Sequence, residues 1–210
     1  MITPFQKYEF FYIALIDDKI ENALKNIDSI LSKDTKKIEY LRKSQIDFSL
    51  ICDQSMLDYR GTGKFLLFEP TMNTNQTVFF VNQRDGWSSL LHIYANKYKK
   101  RVVKVGFTMN RSIDSAGYFF DYLYYNKEDQ FQERCIYLIK DPKWKFYENS
   151  EKTVYLSFEN PEYYKSKRKL ERFNNDIIFE YLNKIGFDVN NPYFFETKKE
   201  VIYANYVDKN

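Results

Sequence analysis

Apolar positions along the chain follow two periods. Ile20, Ala23, Leu24, Ile27, Ile30 and Leu31 recur at the three- and four-residue spacing of one helix face, behind a cap-like Asp18-Lys19-Ile20-Glu21. Thr3-Pro4-Phe5-Gln6 has the form of an earlier capping box, with proline at the first helical position. Asp34 is placed to cap a third helix carrying Ile38 and Leu41. Residues 1–50 are therefore expected to form a helical N-terminal region. A strand over residues 8–16 is the alternative for that stretch.

Residues 51–76 show little periodicity and are expected to be a connector. Gly61-Thr62-Gly63 and the run from Pro70 to Asn75 are turn signals around a short apolar strand, Phe65-Leu66-Leu67-Phe68. From Thr77 the pattern sharpens. Val78-Phe79-Phe80-Val81 reads as a buried strand, and Trp87, Leu90, Leu91, Tyr94 and Tyr98 as one helix face. Val102 to Met109 follows as the next strand, which completes a strand–helix–strand crossover. Candidate antiparallel strands come next at 117–126, 133–140, 143–148 and 153–158, joined by short polar connectors as in a meander. Asn160-Pro161 opens a long C-terminal helix with Leu170, Phe173, Ile177, Tyr181 and Leu182 on its core stripe, and Gly186 stops it. Val201 to Val207 reads as an edge strand or a docked extension. The expected class is α+β: N-terminal helices, a mainly antiparallel sheet with one crossover, and a long C-terminal helix. Residues 77–210 form its main domain.

Composition narrows the chemistry. The 210 residues hold one histidine, two cysteines and six glycines, against 19 tyrosines and 19 phenylalanines. Most catalytic kits need histidines, cysteine clusters or glycine-rich phosphate loops, so a binding role outranks an enzymatic one. Gly61-x-Gly63 lacks the further glycine and the lysine of a phosphate loop and reads as a turn. His92 sits at the margin of a helix stripe and reads as a surface residue. Cys52 and Cys135 lie far apart and read as unpaired small hydrophobes in a reducing compartment. Glu196-Thr197-Lys198 has the final spacing of a metal-dependent nuclease motif but lacks the partner strand such a site needs. No metal, cofactor or catalytic residue is assigned. The net charge of +3 is too balanced to imply nucleic-acid or membrane binding from the whole chain. The apolar run from Phe10 to Ile16 is too short to span a membrane, so a cytoplasmic protein is expected.

Two-residue alternation separates the faces of the meander. Trp144 and Phe146, with Val154, Leu156 and Phe158, form a core face. Lys143, Lys145 and Tyr147, with Thr153, Tyr155 and Ser157, form the other. Tyrosine beside lysine and hydroxyl groups suits an open interface, or a face covered by the N-terminal helices. The helical run Lys165, Lys167, Arg168, Lys169 and Arg172 offers a basic patch, although Glu162, Glu171 and Asp176 interleave with it.

Asp85-Gly86-Trp87 opening a helix, Trp144-Lys145-Phe146-Tyr147-Glu148, Phe158-Glu159, and Pro161-Glu162-Tyr163-Tyr164 opening another form a succession across residues 77–187. It resembles small bacterial immunity proteins of toxin–immunity systems. The resemblance implies a non-catalytic inhibitor that binds a toxin domain and blocks its active site. Tyr137, Lys145, Tyr147 and Tyr155 are the expected partner-binding residues, with Trp87 in the core. The competing readings are a nucleic-acid-binding module using Lys165, Lys169 and Arg172, and a metal-dependent hydrolase built from clustered carboxylates.

Overall fold

A computed structural model of the chain describes residues 10–32, 36–51, 63–83, 85–109, 111, 116–149 and 155–208. These build one nine-stranded antiparallel sheet with short helices on both faces. The strands are β1 (Phe10–Ile16), β2 (Lys36–Lys43), β3 (Gly63–Phe68), β4 (Thr77–Val81), β5 (Val102–Thr108), β6 (Gly117–Tyr125), β7 (Phe131–Asp141), β8 (Lys143–Glu148) and β9 (Val201–Asp208). Their order across the sheet is β2-β9-β3-β4-β1-β5-β6-β7-β8.

The helix-first expectation is overturned. The apolar run at β1 is a central strand between β4 and β5. Residues expected in a third helix form β2, with Ile38 opposite Tyr206 and Leu41 opposite Tyr203 on β9. Among the described residues up to 50 the α-helix is α1 (Ile20–Leu31), followed only by a 3-10 turn at Phe48–Leu50, and it buries Ile20, Ala23, Leu24, Ile27 and Leu31. Its first turn has no side-chain cap from Lys19. Instead the buried Glu69 carboxylate accepts from the Ile20 amide at 2.8 Å, where a negative charge suits the helix N-terminus. Segments 1–50, 51–76 and 77–210 all give strands to the same sheet. The expected tail strand is β9, and it is internal, between β2 and β3.

The C-terminal helix is also corrected. It is broken into α3 (Pro161–Tyr164), α4 (Lys169–Arg172) and α5 (Asn175–Lys184). Asn160 caps α3 and Asn174 caps α5 by accepting from the Ile177 amide at 3.1 Å, so local polar groups restart the helix. Phe173 is extended between α4 and α5 and fully buried, which a continuous helix would not place there. Gly186, at φ 95°, ends α5.

Two cores result. On one face α1 and α2 (Ser88–Tyr98) pack on Ala14, Ile16, Phe65, Leu67, Phe79, Val81, Val102 and Leu123. On the other, α3, α5 and the turn Pro192–Phe195 cover Leu15, Leu66, Phe80, Val105, Phe120, Ile136 and Leu138. Coverage on both sides explains why β4 and β5 are buried along their whole length and mostly apolar rather than alternating. Gly106 lets Tyr12 cross β5: a Cβ there would sit 2.5 Å from the Tyr12 ring and 3.0 Å from Phe119. Gly106→Ala is expected to cost about 1–3 kcal/mol through overpacking, read from a urea melt. An unchanged midpoint would show that the ring pair yields freely.

Candidate functional site

The first helix-covered core ends at Leu123 on β6, and beyond it the same sheet face opens to water. An aromatic row runs outward from the core: Tyr12 to Phe119 at 5.4 Å between ring centroids, Phe119 to Tyr137 at 5.4 Å, and Tyr137 stacked on Tyr147 at 6.1 Å and 18°. The register makes this possible, because Phe119, Tyr137 and Tyr147 lie opposite one another on β6, β7 and β8. Tyr147 is 57% exposed and Ile139, one pair along, 36%. Lys145 faces Ile139 and pairs with Asp141 at 2.9 Å in an exposed bridge. Among the described residues β8 pairs only with β7, so its outer edge carries backbone groups without ladder partners.

Three of the four expected partner-binding residues, Tyr137, Lys145 and Tyr147, therefore share one patch. Tyr155 does not. Residues 155–158 form no strand, and Tyr155 lies on the opposite side, 5.6 Å from the Arg134 guanidinium and 5.8 Å from the Tyr164 ring. Val154 and Thr153 fall outside the described residues. Of the basic trio, two residues are already engaged. Lys165 pairs with Glu162 at 2.6 Å. Arg172 donates from Nε to the Ser166 carbonyl at 2.6 Å and lies over Phe146. Lys169 lies on α4, three residues before Arg172. Trp87 is half-buried at the head of α2, with its ring 6.1 Å from Phe65 and 6.0 Å from Tyr206.

A buried polar cluster supports the aromatic row. Lys104 donates to Asp121 Oδ2 at 2.9 Å, to the Asp85 carbonyl at 3.1 Å and to Ser88 Oγ, which occupies its three ammonium hydrogens. Tyr137 donates its hydroxyl to the other oxygen of Asp121. Glu133 accepts from Cys135 Sγ at 3.0 Å and meets His92 Nε2 at 3.0 Å. Burial, and then the charge of Asp121, push both the Tyr137 hydroxyl and the Cys135 thiol well above their ordinary values. Burial alone would raise the Glu133 carboxyl, but the Cys135 thiol and His92 outweigh it, and it titrates lower than usual. The cavity against Ser88, His92, Lys104, Asp121, Glu133 and Tyr137 holds about 60 Å³. Small-molecule sites hold roughly 300–1,000 Å³. The cluster ties α2 and β5 to the strands that carry Tyr137.

A second buried network, on the other sheet face, went unread in the sequence. Arg134 grips Glu159 with both arms of its fork at 2.9 and 2.7 Å and reaches Glu148 at 2.5 Å. Tyr164 donates to Glu159 at 2.8 Å. Burial disfavours the guanidinium charge, but Glu159 and Glu148 more than compensate and raise its pKa. Burial pushes the Tyr181 hydroxyl up to about 12. This network anchors β8 and the segment before α3 to β7.

Among the described residues no three of His, Cys, Asp or Glu gather as metal ligands. Glu196 and Lys198 lie in the loop before β9, not on a strand. No helix among them is long and apolar enough to cross a membrane. Comparison with protein-family models, curated proteins and solved structures gave no match.

Proposed function

We propose that this chain is a non-catalytic protein-binding domain whose partner docks on Tyr137, Ile139, Lys145 and Tyr147 and along the outer edge of β8. The observation that carries this reading is the aromatic row, which ends in a stacked, 57% exposed tyrosine beside a strand edge that has no ladder partner among the described residues. Rigid aromatic anchors backed by a packed core supply most of the energy at protein interfaces. A free edge accepts an incoming strand through its backbone. Lys145 on the same strand favours an acid-bearing partner. In its inhibitor form, suggested by the resemblance to immunity proteins, the partner is a toxin domain whose active site this surface covers.

The test is paired capture with tagged wild type and Tyr147→Ala. Tyr147 is exposed, so the variant is expected to melt like wild type. A stoichiometric protein that survives a high-salt wash on wild type is expected to bind the variant about 30-fold more weakly, matching an anchor worth ~2 kcal/mol. Equal retention by both proteins would remove this surface from the interface. For the inhibitor form, co-expression with the captured protein should relieve that protein's toxicity, and Tyr147→Ala should restore it.

A further inference from the structure

A groove of about 630 Å³ opens where α4 packs beside the start of β8. Among the described residues four cations line it, Arg111, Lys143, Arg168 and Lys169, against one carboxylate, Glu171. That carboxylate is already engaged by Arg168 at 3.2 Å and by Ser166 Oγ at 2.7 Å. Lys143 and Lys169, both exposed, have no ion-pair partner among the described residues. The groove therefore carries excess positive charge on walls from two different elements.

Its floor is aromatic. Trp144 is half-buried and stacks on Tyr118 at 5.7 Å and 21°. Arg111 donates from Nε to the Tyr118 hydroxyl at 3.0 Å, which sets its guanidinium beside the same ring pair. Leu170 completes the apolar part. Tyr118 is fully buried, so the indole rests on a rigid support. The groove thus offers a backed indole platform flanked by cations. The ligand that uses both has planar rings joined by repeated negative charges. An acidic peptide would engage the cations and leave the platform idle. A duplex would present phosphates but hide its ring faces.

We propose that this groove binds single-stranded nucleic acid, with a base stacked on Trp144 and phosphates on Lys143, Lys169 and Arg111. Cationic grooves with stacking aromatics are the general solution for single strands. The site is separate from the tyrosine patch, because Trp144 and Tyr147 project from opposite faces of β8.

The test is fluorescence anisotropy with a labelled oligothymidylate of about 12 nucleotides, within the site sizes of single-strand binders. Wild type should bind at low salt, weaken linearly in log–log with added salt, and lose tryptophan emission on binding. Lys143→Ala/Lys169→Ala should lower the salt slope by about 1.4, the share of two phosphates. Trp144→Leu should weaken binding about tenfold to a hundredfold and abolish the quench, with circular dichroism confirming the fold. Tyr147→Ala should leave all of this unchanged, which separates the groove from the protein-docking reading. The proposal fails if no oligonucleotide binds at low salt. It fails equally if duplex or a phosphorylated peptide binds more tightly than the single strand, or if the double-lysine variant keeps the wild-type slope. Should Trp144→Leu unfold the protein, the lysine variant and the quench on wild type decide alone.

Discussion

Arg134→Met is expected to destabilise the fold by about 3–5 kcal/mol, the range for removing one member of a buried ion pair. The Arg134 side chain is 6% exposed and that of Glu159 fully buried, so the carboxylate left behind has no water to turn to. It keeps the Leu156 amide at 3.0 Å and the Tyr164 hydroxyl, but neither brings a countercharge. Arg134→Lys should recover only part of the loss, because an ammonium cannot reproduce the two-armed contact with Glu159 while reaching Glu148. Denaturant unfolding gives the free energies. A loss below ~1 kcal/mol would mean that Glu159 is solvated or protonated once the arginine is gone. The effect should also reach β8, because Glu148 ends that strand and is held by the same guanidinium.

Lys104→Met is expected to cost about 3–5 kcal/mol for the same reason on the opposite face. Lys104 and Asp121 have side chains 8% and 7% exposed, and the substitution leaves Asp121 with only the Tyr137 hydroxyl. The diagnostic variant is the double Lys104→Met/Asp121→Leu. Replacing both charges with apolar groups of similar size should return most of the lost stability. A double variant as unstable as the single would show that the ammonium's bonds to Asp85 and Ser88, which fix the start of α2, outweigh the ion pair. Either result bears on the tyrosine patch, since Tyr137 is held by Asp121.

These two networks also show what the sequence could convey. α1 was legible because Ile20, Ala23, Leu24, Ile27 and Leu31 fall on one stripe and the structure buries that stripe. β1 was ambiguous: Phe-Phe-Tyr-Ile-Ala-Leu-Ile has neither period, since both its faces are covered. Ile38 and Leu41 mimic helical spacing, but their segment is an edge strand zipped to β9, and no local signal reports a partner so distant in sequence. The break at Phe173 was hidden for a related reason, because a fully buried phenylalanine fits a helix stripe as well as an extended link. Of the patch, Lys145 and Tyr147 were readable from alternation along one strand, alternation left the face of Tyr137 open until the β7–β8 register fixed it, and Tyr155 was expected on a strand although residues 155–158 form none. The buried ion pairs left a trace that went unused. Lys104 within Val-Val-Lys-Val and Asp121 within Phe-Phe-Asp-Tyr are single charges inside apolar runs, and such charges must find each other if both strands are buried.

The position of β9 has a consequence for how the sheet is made. It lies between β2 and β3, although its residues are synthesised long after both. Until residues 201–208 leave the ribosome, β3 is a bare sheet edge and β2 has no strand to join. Such long-range pairings close slowly, because their loop entropy is lost before any contact repays it. From the synthesis of β3 until that of β9 the nascent chain therefore carries the open edge of β3 and an unpaired β2, a window in which chaperone engagement or aggregation competes with completion of the fold.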